Sequence, residues 1–192
     1  YRGGYDFVDN DADPMETTYN DWKESGMPEF NGNLASYYTS HGTHVSGTIA
    51  GQSKNTGGVA VIGVAPEADV YGYRVLGPYG SGELEDILAG IEKAVEDGMD
   101  VINLSLGANI NDPMYPTSTA VNYAVLQGVT AVVSAGNTGS NSYTLGTPGA
   151  AALALTVGAS STPIPVAKYS GVLKDSNKAF HLSNLYPDFV TD

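Results

Sequence analysis

Stretches with the pattern of β-strands alternate with amphipathic helices over the central part of this chain, and this alternation restricts the fold most. Predicted strands occupy positions 69–76, 101–106, 130–135 and 153–159, and the third of these is rich in β-branched residues. Between them, residues 83–97 and 117–127 have helical periodicity, and Gly98 and Gly128 follow directly. Such alternation predicts a parallel α/β sheet with functional groups at the carboxyl ends of its strands. Residues 1–40 show neither period and are predicted to be irregular.

The chain is strongly acidic, which excludes several classes of partner. Among 192 residues, 21 acids and 8 bases give a formal net charge of −13. Such a surface repels nucleic acids and anionic membranes but attracts cations such as Ca²⁺. The sequence has 0 cysteines, so disulfides and thiolate metal sites are excluded. No apolar run reaches the ~20 residues of a membrane span. We therefore expect neither nucleic-acid nor membrane partners.

A histidine stands at the entry to a run of small and β-branched residues between Ser40 and Gly51. Val45, Ile49 and Ala50 have the spacing of a buried helical face, so we expect a helix that begins near His41. The positive end of a helix dipole favours the neutral imidazole that a general base requires. A lone histidine is more often structural, and only the length of the motif favours a catalytic role.

Three glycine-containing segments follow the predicted strands: Asn103–Gly107, Ser134–Gly139 and Leu145–Gly149. By itself each indicates only a turn, and Asn137 between glycines is a typical turn residue. Gly80, Ser81 and Gly82 form a further segment of this kind. A glycine-rich edge lets an extended peptide add as a strand, although Ser81 or Gly82 could also cap the following helix.

Together these segments resemble the motifs of the subtilisin-like serine proteases (the subtilases), in the family's order from residue 3 to about residue 161. The resemblance implies a three-layer αβα fold with a parallel sheet. It implies that His41 is the general base and that Asn137 donates to the oxyanion of the tetrahedral intermediate, with His44 only a structural partner. The substrate-binding residues implied are Gly80, Ser81, Gly82, Ser105, Leu106, Gly107 and Gly146, the last as the floor of a pocket for a large apolar side chain.

Carboxylates are concentrated between Tyr5 and Pro14. Oxygen ligands at alternate positions suit Ca²⁺, and some subtilases bind calcium at a similar run. Asp6, Asp9 and Asp11 are therefore the expected ligands of a structural calcium ion. A solvated acidic loop without metal explains the same pattern equally well.

Two motifs that the family needs are absent from residues 1–192: the Asp-Thr-Gly or Asp-Ser-Gly strand and the Gly-Thr-Ser-Met-Ala segment with the nucleophile. Ser170 does not replace that nucleophile. We expect the fold to be incomplete without the Asp strand and the Ser helix, and the chain alone to be inactive. The missing strand is central in the family's sheet, so its neighbours should keep unpaired edges or close up differently.

The helix–strand rhythm stops near Thr162, which predicts a partial catalytic domain over residues 1–161 and a boundary segment over residues 162–192. Among subtilases the chain most resembles the secreted minor extracellular proteases, which carry an inserted protease-associated domain. The boundary segment would lead toward such a domain. The resemblance implies an internal segment of a secreted, extracellular and monomeric endopeptidase that acts on proteins or peptides.

Two other functions fit the residues without the resemblance. One is a non-catalytic α/β module that binds peptides in a retained cleft, and the other is a scaffold whose acidic loops bind calcium. Retention of His41, Asn137 and the segment from Asn103 to Gly107 favours the protease, because a protein without catalysis has no reason to keep all of them.

Overall fold

A computed structural model describes residues 1–54, 60–160, 168–172 and 179–183, the last two ranges as backbone only. The contacts divide the chain into two units, Tyr1–Gly158 and Ala159–Asp192. The predicted domain boundary after residue 161 lies outside the described residues. In the second unit, β6 (Lys168–Val172) and β7 (Ala179–Ser183) form an antiparallel pair.

The first unit alternates strands with helices, as predicted. In chain order its elements are β1 (Gly3–Asp6), α1 (Tyr19–Ser25), α2 (His41–Ala50), β2 (Tyr71–Arg74), α3 (Leu84–Glu96), β3 (Val101–Leu104), α4 (Pro116–Leu126), β4 (Thr130–Ser134) and β5 (Leu155–Val157). Gly98 and Gly128 take positive φ values of 71° and 98° just beyond α3 and α4, and so end these helices. None of the helices in the described ranges combines the length and apolar composition that a membrane span requires.

The strands of the first unit form two separate parallel sheets. β3, β4 and β5 form one in that order, whereas β1 pairs only with β2. No ladder joins β2 to β3 among the described residues, so each sheet keeps an unpaired edge. The prediction of unpaired edges is thus confirmed, and the architecture is an incomplete α/β fold with parallel sheets.

The core lies on one face of the three-stranded sheet. Ile102 and Val133 on this face are buried against α3 and α4, together with Ile91, Val121 and Ala124 of those helices. On the opposite face, Val101, Leu155 and Val157 are exposed. The described residues therefore supply the sheet and one helical layer of the three layers predicted.

The prediction of an irregular segment over residues 1–40 is wrong, since it contains β1 and α1. Gly3 and Gly4 hide β1 from a pattern based on side chains. Gly4 is needed because a Cβ there would lie 1.7 Å from the carbonyl oxygen of Gly72 on β2. The signal for α1 was available, because Thr18 and Asp21 form a capping box at its start.

A second correction concerns the start of α3. Its N-cap residue is Glu83, which makes no side-chain capping bond, so neither Ser81 nor Gly82 caps this helix. The backbone of Gly77 donates to the carbonyl of Ser81 instead, which turns the loop before the helix.

A buried guanidinium fastens the first seventeen residues to β2. Arg74, at the end of β2, is 8% exposed and donates to carboxylate oxygens of Asp6 and Asp9. Its other terminal nitrogen donates to the hydroxyl of Thr17 at 2.7 Å. Asp6 is also buried and accepts backbone hydrogen bonds from Val8 and Asp9. Arg74 and Asp6 are thus buried as a hydrogen-bonded ion pair, which is how proteins tolerate buried charges, whereas the side chain of Asp9 is 64% exposed.

Replacing Arg74 should therefore destabilise the protein much more than replacing an exposed arginine. In Arg74→Met the buried Asp6 loses its counter-charge, and we expect a loss of about 3–5 kcal/mol in the free energy of unfolding. The matched control is Arg2→Met, because the Arg2–Asp69 pair is exposed, with side chains 60% and 61% accessible. It should change stability far less, because exposed ion pairs contribute little. Calorimetry on the full-length protein measures both, and equal losses would contradict the prediction.

Candidate active site

His41 is the first residue of α2, as predicted, and its ring lies against the segment that follows β3. Its Nε2 atom is 2.8 Å from the carbonyl oxygen of Ser105. Because a carbonyl oxygen only accepts, Nε2 carries the proton in this contact. The sequence thus correctly predicted a helix that begins at His41. The expected buried face of α2 is wrong: Val45, Ile49 and Ala50 are only half-buried, and no described element packs closely over them.

The segment of Ser105, Leu106 and Gly107 begins where β3 ends and is fixed by its neighbours. The Ser134 hydroxyl donates to the Leu106 carbonyl at 3.1 Å, and Asn103 donates to the Ser105 hydroxyl at 3.0 Å. A Cβ at Gly107 would lie 2.9 Å from the carbonyl oxygen of Thr147, so this position needs glycine. The segment is therefore a fixed backbone edge at the carboxyl end of the sheet, as an extended peptide requires.

Gly80, Ser81 and Gly82 follow β2, and the loop that contains them is fastened to an earlier segment. Tyr79 takes a φ of 60°, and its backbone N–H donates to the carbonyl of Tyr37 at 3.2 Å. Its hydroxyl donates to the Pro28 carbonyl at 2.6 Å. These contacts hold Tyr79 in a left-handed conformation that non-glycine residues rarely adopt.

An open cleft of about 440 Å³ lies beside His41. The residues that surround it with His41 are Ala35, Ser36, Tyr38, Thr39, Ser40, His44 and Tyr79. The sequence predicted neither this wall before α2 nor the contacts of Tyr79 with Tyr37 and Pro28. Neither carries a motif, since the wall depends on contacts between segments far apart in the sequence.

Asn137 lies in the loop after β4 and is exposed. Among the described residues its side chain makes no hydrogen bond, which leaves the amide able to donate to a ligand. The loop begins at Gly136, whose φ is 91°. It packs on the next glycine segment, where the Gly146 N–H donates to the Ala135 carbonyl at 3.1 Å. No described contact joins Asn137 to His41, so the structure does not itself bring these two side chains together.

Gly146 is buried rather than open to a pocket. A Cβ at this position would lie 2.7 Å from the carbonyl oxygen of Ala108 and 3.9 Å from the Cα of Gly136. Close backbone packing therefore explains why glycine is needed there. The preference for a large apolar substrate residue, which was inferred from Gly146, stays a prediction.

The three carboxylates expected to bind calcium do not form one ligand set. Asp6 and Asp9 share the guanidinium of Arg74, and Asp11 accepts from the backbone of Asp13. Among the described residues, no group of three or more acidic, histidine or cysteine side chains is placed to hold a metal ion. Calcium binding stays a prediction, and this arrangement of donors does not fit it.

The sequence of the chain is similar to those of known proteins. The model of the subtilase family (Peptidase_S8) matches residues 5–190. The chain is 47% identical over 161 residues to minor extracellular protease Vpr of Bacillus subtilis (strain 168), an alignment that covers 84% of this chain and 18% of that protein. It is 36% identical over 173 residues to subtilisin NAT of Bacillus subtilis subsp. natto, covering 89% of this chain and 39% of that protein. The chain belongs to the subtilase family.

Solved structures show the same relationship. A cold adapted subtilisin-like serine proteinase superposes with a TM-score of 0.57 at 29% identity, over 80% of this chain and 45% of that one. Sphericase gives a TM-score of 0.53 at 33% identity, over 74% and 44% of the two chains. The chain thus spans less than half the length of these relatives.

The packing of Gly146 generates a prediction about the loop that carries Asn137. In Gly146→Ala the new methyl group would collide with the carbonyl of Ala108, so the backbone must shift. We expect a loss of about 1–3 kcal/mol in the free energy of unfolding. Gly32→Ala is the control, because a Cβ there meets nothing within 4 Å. It should change stability by less than about 0.5 kcal/mol. Equal unfolding temperatures for the two variants would refute the packing explanation.

Proposed function

We propose that the protein containing this chain is a secreted serine endopeptidase that hydrolyses proteins or peptides through a Ser-His-Asp triad. The observation that carries the proposal is the 2.8 Å contact between Nε2 of His41 and the carbonyl of Ser105. This contact brings a titratable imidazole to the fixed backbone edge that is suited to bind an extended peptide. A general base must lie within hydrogen-bond reach of the proton that it takes, so the imidazole has to stand at the edge where the peptide is bound.

In the proposed reaction, His41 takes the proton of a serine hydroxyl and later gives it to the leaving amine. The side-chain amide of Asn137 donates to the oxyanion that forms on the scissile carbonyl. The substrate backbone lies between the segment of Gly80, Ser81 and Gly82 and that of Ser105, Leu106 and Gly107. The serine and the aspartate come from parts of the protein outside residues 1–192, because the family's motifs for both are absent from this sequence.

The separation of the two sheets bears on where the strand that carries the triad aspartate lies. In the part of the chain that the structure describes, β2 and β3 each have a free edge, and both belong to parallel sheets. An extended segment between them would satisfy both rows of backbone groups, which are costly to leave unpaired when buried. We propose that the strand bearing the triad aspartate lies there, so that one insertion completes the sheet and the triad.

His41→Ala in the full-length protein should reduce kcat by about 10⁴-fold or more, because loss of a triad member removes most of the catalysis. Hydrolysis of a peptide substrate measures the effect. His44→Ala is the matched control from the same helix and should retain most of the turnover. If His41→Ala keeps near-normal kcat, His41 is not the base, and the non-catalytic peptide-binding module becomes the better explanation.

Asn137→Ala should reduce kcat by about 10²–10³-fold with little change in KM, since an oxyanion donor acts mainly in the transition state. Steady-state kinetics on the full-length protein separate the two constants. Asn141→Ala, in the same exposed loop, should leave both constants unchanged. An effect of Asn137→Ala confined to KM would rule out the oxyanion role.

A further inference from the structure

The N-terminus of α2, where His41 lies, is capped by a carboxylate from a distant part of the sequence. Oε1 of Glu16 accepts a hydrogen bond from the backbone N–H of Gly42 at 3.0 Å. Oε2 of the same side chain accepts from the backbone N–H of Thr43 at 2.9 Å. Ser40, at the usual capping position, makes no side-chain capping bond. Glu16 therefore does for this helix what a neighbouring serine or aspartate does for most others.

The charge of Glu16 suits this position. A carboxylate is stabilised at the positive end of a helix, and its bonds to N–H groups are stronger than those of a neutral acceptor. Burial by itself raises the pKa of the Glu16 carboxyl, but hydrogen bonds from Thr43 and Gly42 outweigh it, so the pKa lies below its usual value. The stabilisation is complete above the unfolded-state pKa and is lost as pH falls through the folded-state pKa. Glu16 is thus ionised at neutral pH.

Thr17, the residue after Glu16, accepts two hydrogen bonds that fix this part of the chain. The hydroxyl of Thr17 accepts from Arg74 at 2.7 Å, which ties this point of the chain to the end of β2. The carbonyl of Thr17 accepts from the backbone N–H of Thr39 at 3.0 Å, just before α2 begins. Thr17 is only 6% exposed. A side chain anchored this way can fix the position of a helix end, whereas a mobile one cannot.

We propose that Glu16 is a positioning residue for His41: its carboxylate fixes the first turn of α2 and thereby directs the imidazole toward the Ser105 edge of the cleft. This proposal rests on the proposed function for its effect on catalysis. The expected effect is on kcat rather than on KM, because Glu16 bonds to the first turn of α2 and to Thr39, and no hydrogen bond in the described part of the chain joins it to the predicted substrate-binding segments. A displacement of about 1 Å in a catalytic group can cost about 10²-fold in rate.

The kinetic test uses two variants of Glu16 in the full-length protein. Glu16→Gln keeps the size of the side chain but removes the charge and one of the two acceptors. We expect kcat to fall by about 10- to 100-fold while KM stays within about twofold. Glu16→Asp restores the charge on a shorter side chain and should recover part of the loss. Glu24→Gln, an exposed glutamate on α1, is the matched control and should leave kcat unchanged. A wild-type kcat for Glu16→Gln would overturn the proposal.

A second readout separates this proposal from the proposed function. Hydrogen–deuterium exchange followed by mass spectrometry monitors the backbone N–H groups of Gly42 and Thr43 in peptides that cover residues 40–46. In Glu16→Gln they should exchange about five- to tenfold faster than in the wild type, as expected for a lost cap. Exchange elsewhere should not change, since a general loss of stability would raise it throughout.

The exchange measurement does not require activity and can be repeated in the His41→Ala background. If His41→Ala retains turnover but the exchange difference persists, the proposed function fails and the capping by Glu16 stands. If Glu16→Gln leaves the exchange of Gly42 and Thr43 unchanged, the positioning proposal fails whatever the kinetics show.

Discussion

The arrangement of the N-terminal part of the first unit depends on the hydrogen bonds that the buried guanidinium of Arg74 donates. The guanidinium collects the carboxylates of Asp6 and Asp9 and the hydroxyl of Thr17, and so fixes an otherwise polar N-terminal segment to β2. Because Glu16 precedes Thr17 and accepts from the N–H groups of Gly42 and Thr43, the same cation is linked to the helix turn that begins at His41. The acidic run that suggested a calcium ion is thus neutralised, in part, by a cation that the chain itself supplies.

No ladder joins β2 to β3 among the described residues, which leaves a break between the two sheets. The segment of Gly80, Ser81 and Gly82 follows β2, and that of Ser105, Leu106 and Gly107 follows β3. A strand placed there would end between the two walls, because parallel strands present their carboxyl ends at the same edge. The position of the break therefore predicts where a side chain at the end of that strand reaches the cleft.

The sequence predicted those features that depend on local patterns. The helices α3 and α4 and the strands between them follow from side-chain periodicity and from glycines that end helices, and α2 from a long motif. The features it missed depend on partners far away in the sequence. Arg74 pairs with Asp6 across 68 positions, and Glu16 caps α2 across 26 and 27 positions. The close packing of Gly146 was missed for a similar reason, since the group that a Cβ there would meet is the carbonyl of Ala108.

The contact between His41 and Ser105 also bears on how the proposed triad would be completed. With its proton on Nε2, the imidazole donates to a carbonyl and has no lone pair on that nitrogen to accept a proton from serine. A carboxylate that accepts a hydrogen bond from Nδ1 favours the other tautomer and frees Nε2 to act as the base. In the proposed enzyme, the strand that fills the break brings that carboxylate. In the proposed enzyme, completing the sheet and orienting the imidazole for proton transfer therefore depend on the same strand.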